Sequence, residues 1–293
     1  PGVKHVVQVS DGVAVVADSW WQANQARDAL DIKWDEGANK ALNTEAVFKG
    51  LADGLTKPAA QIRQQGNVDE AMKGAAKTVE ATYEMPFLSH SPLEPMNFTA
   101  DVRKDSALLI GSIQFQQAAL GVTAAITGLK PEQSTIRTTF LGGGFGRRID
   151  LDFMAQAVEI SKAIGAPVKL VWTREDDMTH DFYRPASLTQ MSGGLDAGGK
   201  PVALKLKMSS TSVTARLIPP LVKDGVDPLM TEAILVPYDI ANQSVGTVIN
   251  QTGLRVGFLR SVSHALNVFA NESFIDEMAV AAGKDPYEFR LGL

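Results

Sequence analysis

Apolar positions in this chain alternate, or recur at helical spacing, in runs short enough for single elements. Val3 to Val9 and Val13 to Val16 read as two strands around the turn Ser10-Asp11-Gly12. Asp18 and Ser19 can cap a helix through Trp20, Ala23, Ala26 and Leu30, which predicts Trp20 and Trp21 in a core. Asp31 to Trp34 reads as a short strand. From Glu36 to Gln65 the periodicity fades, and Gly, Asn, Lys, Asp and Pro predict a linker with one short helix near Glu45 to Leu51. Val68 to Ala75 predicts another short helix, and Lys77 to Tyr83 a strand. Thr99 to Val102 and Ala107 to Ile110 predict paired strands across Arg103-Lys104-Asp105. A helix from Gln116 to Ile126 ends at Gly128 and Pro131.

The most distinctive pattern follows. Ser134 to Phe140 reads as a strand, Ile149 to Ile164 as a helix closed by Gly165 and Pro167, and Val168 to Trp172 as a second strand. Between the first strand and the helix lies Leu141-Gly142-Gly143-Gly144-Phe145-Gly146-Arg147-Arg148. A loop at a helix N-terminus meets unpaired N–H groups and the positive end of the macrodipole, worth roughly 0.3–1 kcal/mol to an anion. Glycines let a flat or anionic ligand approach the backbone, and Arg147 and Arg148 would add two cations. The competing explanation is a tight turn that needs positive φ. The spacing matches neither a dinucleotide-binding G-x-G-x-x-G nor a Walker loop.

Two other stretches carry polar groups in suggestive places. In Phe87 to Phe98, Pro92 and Pro95 bracket Glu94 and predict a stiff, extended backbone. A carboxylate in such apolar company needs a partner, whereas His90 reads as a satisfied structural histidine. Gln114 sits at a strand end before a helix, where ligand sites collect. Thr173 to Pro185 mixes charge with aromatics and reads as a solvated loop with internal ion pairs. Leu188 to Ser192 and Val202 to Ser209 predict a hairpin across Asp196 to Lys200. Thr211 to Tyr238 is irregular and Ser244 to Asn250 is a strand. Arg255 and Arg260 flank an apolar run, and a helix from about Ala265 to Ala282 turns Phe269, Phe274, Ile275 and Met278 to its apolar side.

Composition narrows the classes. With 293 residues and 45% hydrophobic content the chain can bury one large or two medium domains. A net charge of -5 without a basic run argues against a nucleic-acid surface. No cysteine is present, so thiolate nucleophiles, disulfides, zinc-thiolate sites and iron–sulfur ligation by this chain are excluded. No apolar run of about 18 residues exists to span a membrane. The chain opens at Pro1 inside a folded-looking segment and ends without a terminal signature, so a piece of a longer protein is expected.

Together these stretches resemble the molybdenum hydroxylase large subunits of the xanthine dehydrogenase and aldehyde oxidase superfamily, nearest to those of the isoquinoline 1-oxidoreductase type (its beta subunit). Glu94-Pro95-Met96-Asn97 is similar to that family's EPMN segment, and Gln114 to its TQ glutamine. Gly142 to Arg148 is similar to its GGGFGRR loop, and Phe182-Tyr183-Arg184-Pro185 to its FYRP element. Glu272 to Arg290 resembles its closing helix. The resemblance implies an α+β fold, a mixed-sheet molybdopterin-binding domain over 76–293. Ahead of it would come the C-terminal part of an α/β hammerhead domain, 1–35, and a linker, 36–75.

The resemblance further implies molybdenum on a molybdopterin cofactor, in bacteria usually the cytosine dinucleotide. The stretch Gly142, Gly143, Gly144, Phe145, Gly146 and Arg147 would line the pterin, Gln114 would hydrogen-bond a molybdenum oxo group, and no side chain of this chain would ligate the metal. Arg260 is the candidate for the family's FRG arginine, although Leu259-Arg260-Ser261 departs from that pattern. The implied chemistry is hydroxylation of an aldehyde or N-heterocycle with oxygen from water. The implied partners are a small [2Fe-2S] subunit, a remaining C-terminal molybdenum domain and a small-molecule substrate, in a bacterial periplasm or cytoplasm. The family's base glutamate falls beyond Leu293, so this chain alone is expected to be inactive. Ile149 stands where xanthine dehydrogenases carry a glutamate, against purine binding of that type. The alternative is a non-catalytic cofactor-binding or subunit-assembly module.

Overall fold

Strands with alternating burial and helices with one apolar face make up most of the chain, and the computed structural model describes residues 1–293. The first half runs β1 Val3–Val9, β2 Gly12–Ala17, α1 Trp20–Asp28, α2 Thr44–Thr56, β3 Ala60–Gln65, α3 Val68–Lys73, β4 Lys77–Met85, β5 Asn97–Val102, β6 Ala107–Gly111, α4 Gln116–Thr127 and β7 Ser134–Thr138. There follow α5 Asp152–Ile164, β8 Val168–Val171, α6 Arg174–Thr179, β9 Ser187–Leu195, β10 Pro201–Ser210, α7 Val213–Leu217, β11 Asn242–Ile249, α8 His264–Ala281 and α9 Pro286–Leu291. They form two compact units, Pro1–Gly37 with Ser89–Phe182, and Ala38–Leu88 with Tyr183–Leu293.

In the first unit a four-stranded sheet has the order β7-β6-β5-β8. The β6–β7 pair is parallel, and β5 is antiparallel to both of its neighbours. Along β5 alternate residues, Phe98, Ala100 and Val102, point into the core. They meet Phe153, Met154, Ala157 and Val158 of α5. One polar bond crosses this core, from the Val102 N–H to Ser161 Oγ at 2.9 Å. The β1–β2 hairpin belongs to the same unit; the Ser10 N–H donates to Glu159 of α5 at 2.8 Å.

The second unit is built on a five-stranded sheet, β3-β11-β10-β9-β4, in which only β10–β11 is parallel. Phe274, Ile275 and Met278 of α8 pack against Met191, Leu204 and Leu206. Gly193 permits this approach: a Cβ there would stand 2.7 Å from Met278 Sδ. Both large sheets are mixed and the helices are segregated, so the fold is α+β, as the sequence predicts. No helix is long and apolar enough to cross a membrane.

Several local expectations fail for physical reasons. Trp20 and Trp21 lie exposed, because the rest of α1 is polar apart from Ala23 and Ala26 and the helix buries no residue. Asp31–Trp34 forms no strand. The supposed linker is structural: β3 pairs with β11, and α2 buries Val47 and Leu51 beside Ala186 and Leu188. Its weak pattern comes from an edge strand, Ala-Gln-Ile-Arg-Gln-Gln, of which only Ile62 packs on the core. Phe269 of α8 is half exposed.

Candidate functional site

The glycine loop departs from its expected setting. β7 stops at Thr138, and Phe140 is 101% exposed. Arg147–Ile149 form a single 3₁₀ turn, and α5 starts only at Asp152. Leu151 breaks the continuity: its φ of -108° and ψ of 23° lie outside the helix while its side chain is buried. The loop therefore does not sit on a helix N-terminus, and the macrodipole argument does not apply to it.

Two side chains shape the loop instead. Gln114 Oε1 accepts the N–H groups of Gly146 and Arg148, each at 3.2 Å. The Gln114 N–H donates in turn to the Arg148 carbonyl at 2.9 Å. Glu94 accepts from the Gly142 N–H at 2.8 Å, from Asn97 Nδ2 at 2.8 Å, from Ser112 Oγ at 3.3 Å and from Arg148 Nη2 at 2.8 Å. Burial acts to raise the Glu94 pKa, but the Asn97 and Gly142 donors and the Arg148 charge outweigh it and hold the carboxyl below its ordinary value. Such a carboxylate is a poor proton acceptor.

The glycines are explained by this scaffold. A Cβ on Gly142 would lie 2.4 Å from Glu94 Cβ, and one on Gly144 would lie 2.6 Å from Gln114 Oε1. Gly143 and Gly146 have φ of 101° and 110°. The tight-turn explanation thus accounts for Gly143 and Gly146, and the close approach of Glu94 and Gln114 for Gly142 and Gly144. Phe145 has a φ of 55° as a non-glycine, a strain of the kind that gathers at functional sites.

Neither arginine offers its charge to a ligand, contrary to expectation. Arg148 is fully buried beneath the loop, and its guanidinium donates to the Gly143, Ser112 and Glu94 carbonyls. Arg147, also fully buried, reaches both Asp152 oxygens at 2.9 Å and Asp181 at 2.9 Å. Its guanidinium lies over the rings of Phe153, Trp172 and Phe182. Asp181 also accepts from Ser89 Oγ and the His90 N–H, with His90 Nδ1 3.1 Å away. His90 is thus a structural histidine, as the sequence predicts, while Asp177 and Asp181 show that the charged cluster is partly core.

This network makes two stability predictions. Arg147→Met leaves Asp152 and Asp181 buried without their counter-charge and should cost about 3–5 kcal/mol, read as a lower urea midpoint. At Asp181, burial favours the neutral form but the His90 and Ser89 contacts outweigh it, so the pKa falls below 3.8. A depressed carboxylate stabilises the fold above its unfolded pKa and stops doing so as pH falls through the folded value. The midpoint should hold from neutral pH down to about 5 and drop below about 4, and Asp181→Asn should shrink that drop.

The N–H groups of Gly143, Gly144 and Phe145 and the Gln114 amide nitrogen have no acceptor in the chain; Gln114 and Phe145 are exposed, Gly143 is half-buried and Gly144 is buried. Because Oε1 takes two N–H donors, the orientation of the Gln114 amide is fixed. Exposed Leu93, Phe115, Phe140, Leu141 and Phe145 flank these donors. Arg260 belongs to the second unit, exposed in the turn before α8, where Ser261 and Val262 have φ of 68° and 47°. No group of three His, Cys, Asp or Glu side chains converges to hold a metal ion.

Residues 53–292 match the family model described as molybdopterin cofactor-binding domain. The chain belongs to this family. It is 28% identical over 305 residues to the beta subunit of isoquinoline 1-oxidoreductase from Brevundimonas diminuta, covering 99% of this chain and 39% of that protein. It is 30% identical to a nicotinate dehydrogenase subunit from Pseudomonas putida, covering 99% of this chain and 25% of that protein. Its fold is that of the quinoline 2-oxidoreductase structure from Pseudomonas putida 86, with a TM-score of 0.75 at 20% identity over 99% of this chain and 42% of that one. The chain therefore spans well under half the length of these relatives.

Proposed function

We propose that this chain forms one wall of the cofactor site in a molybdenum hydroxylase that oxidises N-heterocycles or aldehydes with oxygen from water. Electrons would leave through a [2Fe-2S] subunit, and a further C-terminal molybdenum domain would close the site. The observation that carries the proposal is a set of four unpaired donors at an apolar patch, Gln114 Nε2 and the N–H groups of Gly143, Gly144 and Phe145, of which only the buried Gly144 lies beneath the surface. A flat, polar-edged pterin matches such a surface, and Gly142 to Gly146 would present backbone to it. When bound, the cofactor supplies the redox centre.

The residues of the chain orient it. Gln114 would donate through Nε2 toward the metal end while Oε1 holds the loop. Arg147 contributes backbone only, since its side chain is turned inward. Arg260 is the candidate for the further cofactor arginine that the resemblance implies. With no loop arginine free, the phosphates of a cytosine dinucleotide form would be held by other cations. Glu94 is saturated with donors, so the base for the reaction is assigned to the rest of the protein. In this sense the chain acts as a cofactor-binding module within the enzyme. Residues 1–35 are taken as the hammerhead tail.

Relatives are named for isoquinoline and nicotinate and also for aldehydes, so both substrate classes enter the test. The test is to purify the full-length protein with its partner subunit. Molybdenum, cytidine monophosphate released by acid hydrolysis, and dye reduction with isoquinoline, nicotinate and benzaldehyde would be assayed. Stoichiometric metal and nucleotide with turnover of at least one of these substrates are expected. A protein without molybdenum would overturn the proposal.

A further inference from the structure

The second unit encloses a cavity of about 20 Å³ that the cofactor reading does not use, lined by Arg184, Thr211 and Asp227 and by Gly257, Leu259 and Val262 of the turn that carries Arg260. That volume exceeds what a single water needs. Arg184 is fixed in the wall by its backbone. Its N–H donates to the Leu88 carbonyl, and the adjacent Tyr183 bridges to Val256. The arginine is only 9% exposed. Its Nη2 donates to the Pro86 carbonyl at 3.2 Å, but Nε is buried without an acceptor and no carboxylate pairs with the guanidinium.

A buried guanidinium without a counter-charge is an expensive arrangement. Burial alone lowers the Arg184 pKa, with no acid offsetting it. Thr211 Oγ1, on the same wall, is also buried and unpartnered. The nearby carboxylate is already satisfied: Asp227 accepts from Ser212 Oγ, Thr214 Oγ1 and the N–H groups of Leu229 and Met230. The cavity therefore presents a cation and a hydroxyl donor, with its one acid turned to other partners. A water would fill the hydrogen bonds but leave the charge uncompensated. Chloride is the smallest common inorganic anion that supplies this counter-charge.

We propose that this cavity is a chloride site, with Arg184 as the counter-charge and Thr211 Oγ1 as a second donor. A bound halide ties the Arg184 segment to the Gly257–Val262 turn, whose Ser261 and Val262 hold positive φ. The test is anomalous scattering at the bromine edge from full-length protein crystallised in sodium bromide. A peak in the cavity beside the Arg184 guanidinium is expected, and an empty map there overturns the proposal. In solution, exchanging sulfate for 0.2 M chloride at constant ionic strength should raise the melting temperature by about 4 °C. Arg184→Gln should abolish that increment, and equal increments in wild type and variant would overturn the assignment. If the variant does not fold, the bromide map of the wild type decides.

Discussion

Gly144→Val in the full-length protein should lose its molybdenum while the protein stays folded. A Cβ at this position would meet Gln114 Oε1 at 2.6 Å and both Gln114 Cδ and Leu141 Cδ2 at 3.0 Å. Gln114 must then move away, and the Gly146 and Arg148 N–H groups lose their acceptor. Each buried donor left unpaired costs about 1–3 kcal/mol, enough to shift the loop and reduce cofactor occupancy at least about tenfold. The core residues Phe98, Phe153 and Met154 do not enter into this contact, so near-UV circular dichroism should be unchanged. Metal at wild-type level by mass spectrometry would contradict the expectation. Gly144→Ala meets the same contacts with less bulk and should fall between.

Gln114 carries the second large effect, and its two amide atoms allow two functions to be separated. Gln114→Ala removes the loop acceptor together with the outward donor, so it should lower metal content as well as turnover. Gln114→Glu keeps an oxygen for the Gly146 and Arg148 N–H groups, replaces the Nε2 donor with a second carboxylate oxygen and adds a negative charge. That variant should retain most of its molybdenum and lose about 10²–10³ in kcat, the usual effect of deleting one preorganised donor. Equal kcat in Gln114→Glu and wild type would remove Gln114 from the reaction. Equal metal loss in both variants would show that the donor, not the acceptor, fixes the cofactor.

Much of the architecture was legible in the chain because apolar alternation and helix stops are local signals. The hairpin β1–β2, the β5–β6 pair and the helix closed by Gly128 follow from them. What escaped was set by distant partners. Arg147 and Arg148 looked like ligand cations because Asp152, Asp181 and Glu94 become their partners only in the folded chain. The glycine run stands out in the sequence, yet Gly142 and Gly144 serve the close approach of Glu94 and Gln114. β3 hid as a linker because an edge strand can stay polar. Trp20 and Trp21 misled because their size suggested burial that nine residues of α1 do not provide. The unpaired donors at Gly143 to Phe145 carry no sequence signal beyond the glycines themselves.

The central claim is that the Gly142–Gly146 backbone and Gln114 Nε2 face the cofactor. A crystal structure of the full-length, metal-loaded protein tests it directly. The account predicts pterin against that backbone and Gln114 Nε2 within hydrogen-bond distance of the cofactor at its metal end. A cofactor bound elsewhere, with the Gly143, Gly144 and Phe145 N–H groups capped by protein side chains, would contradict it.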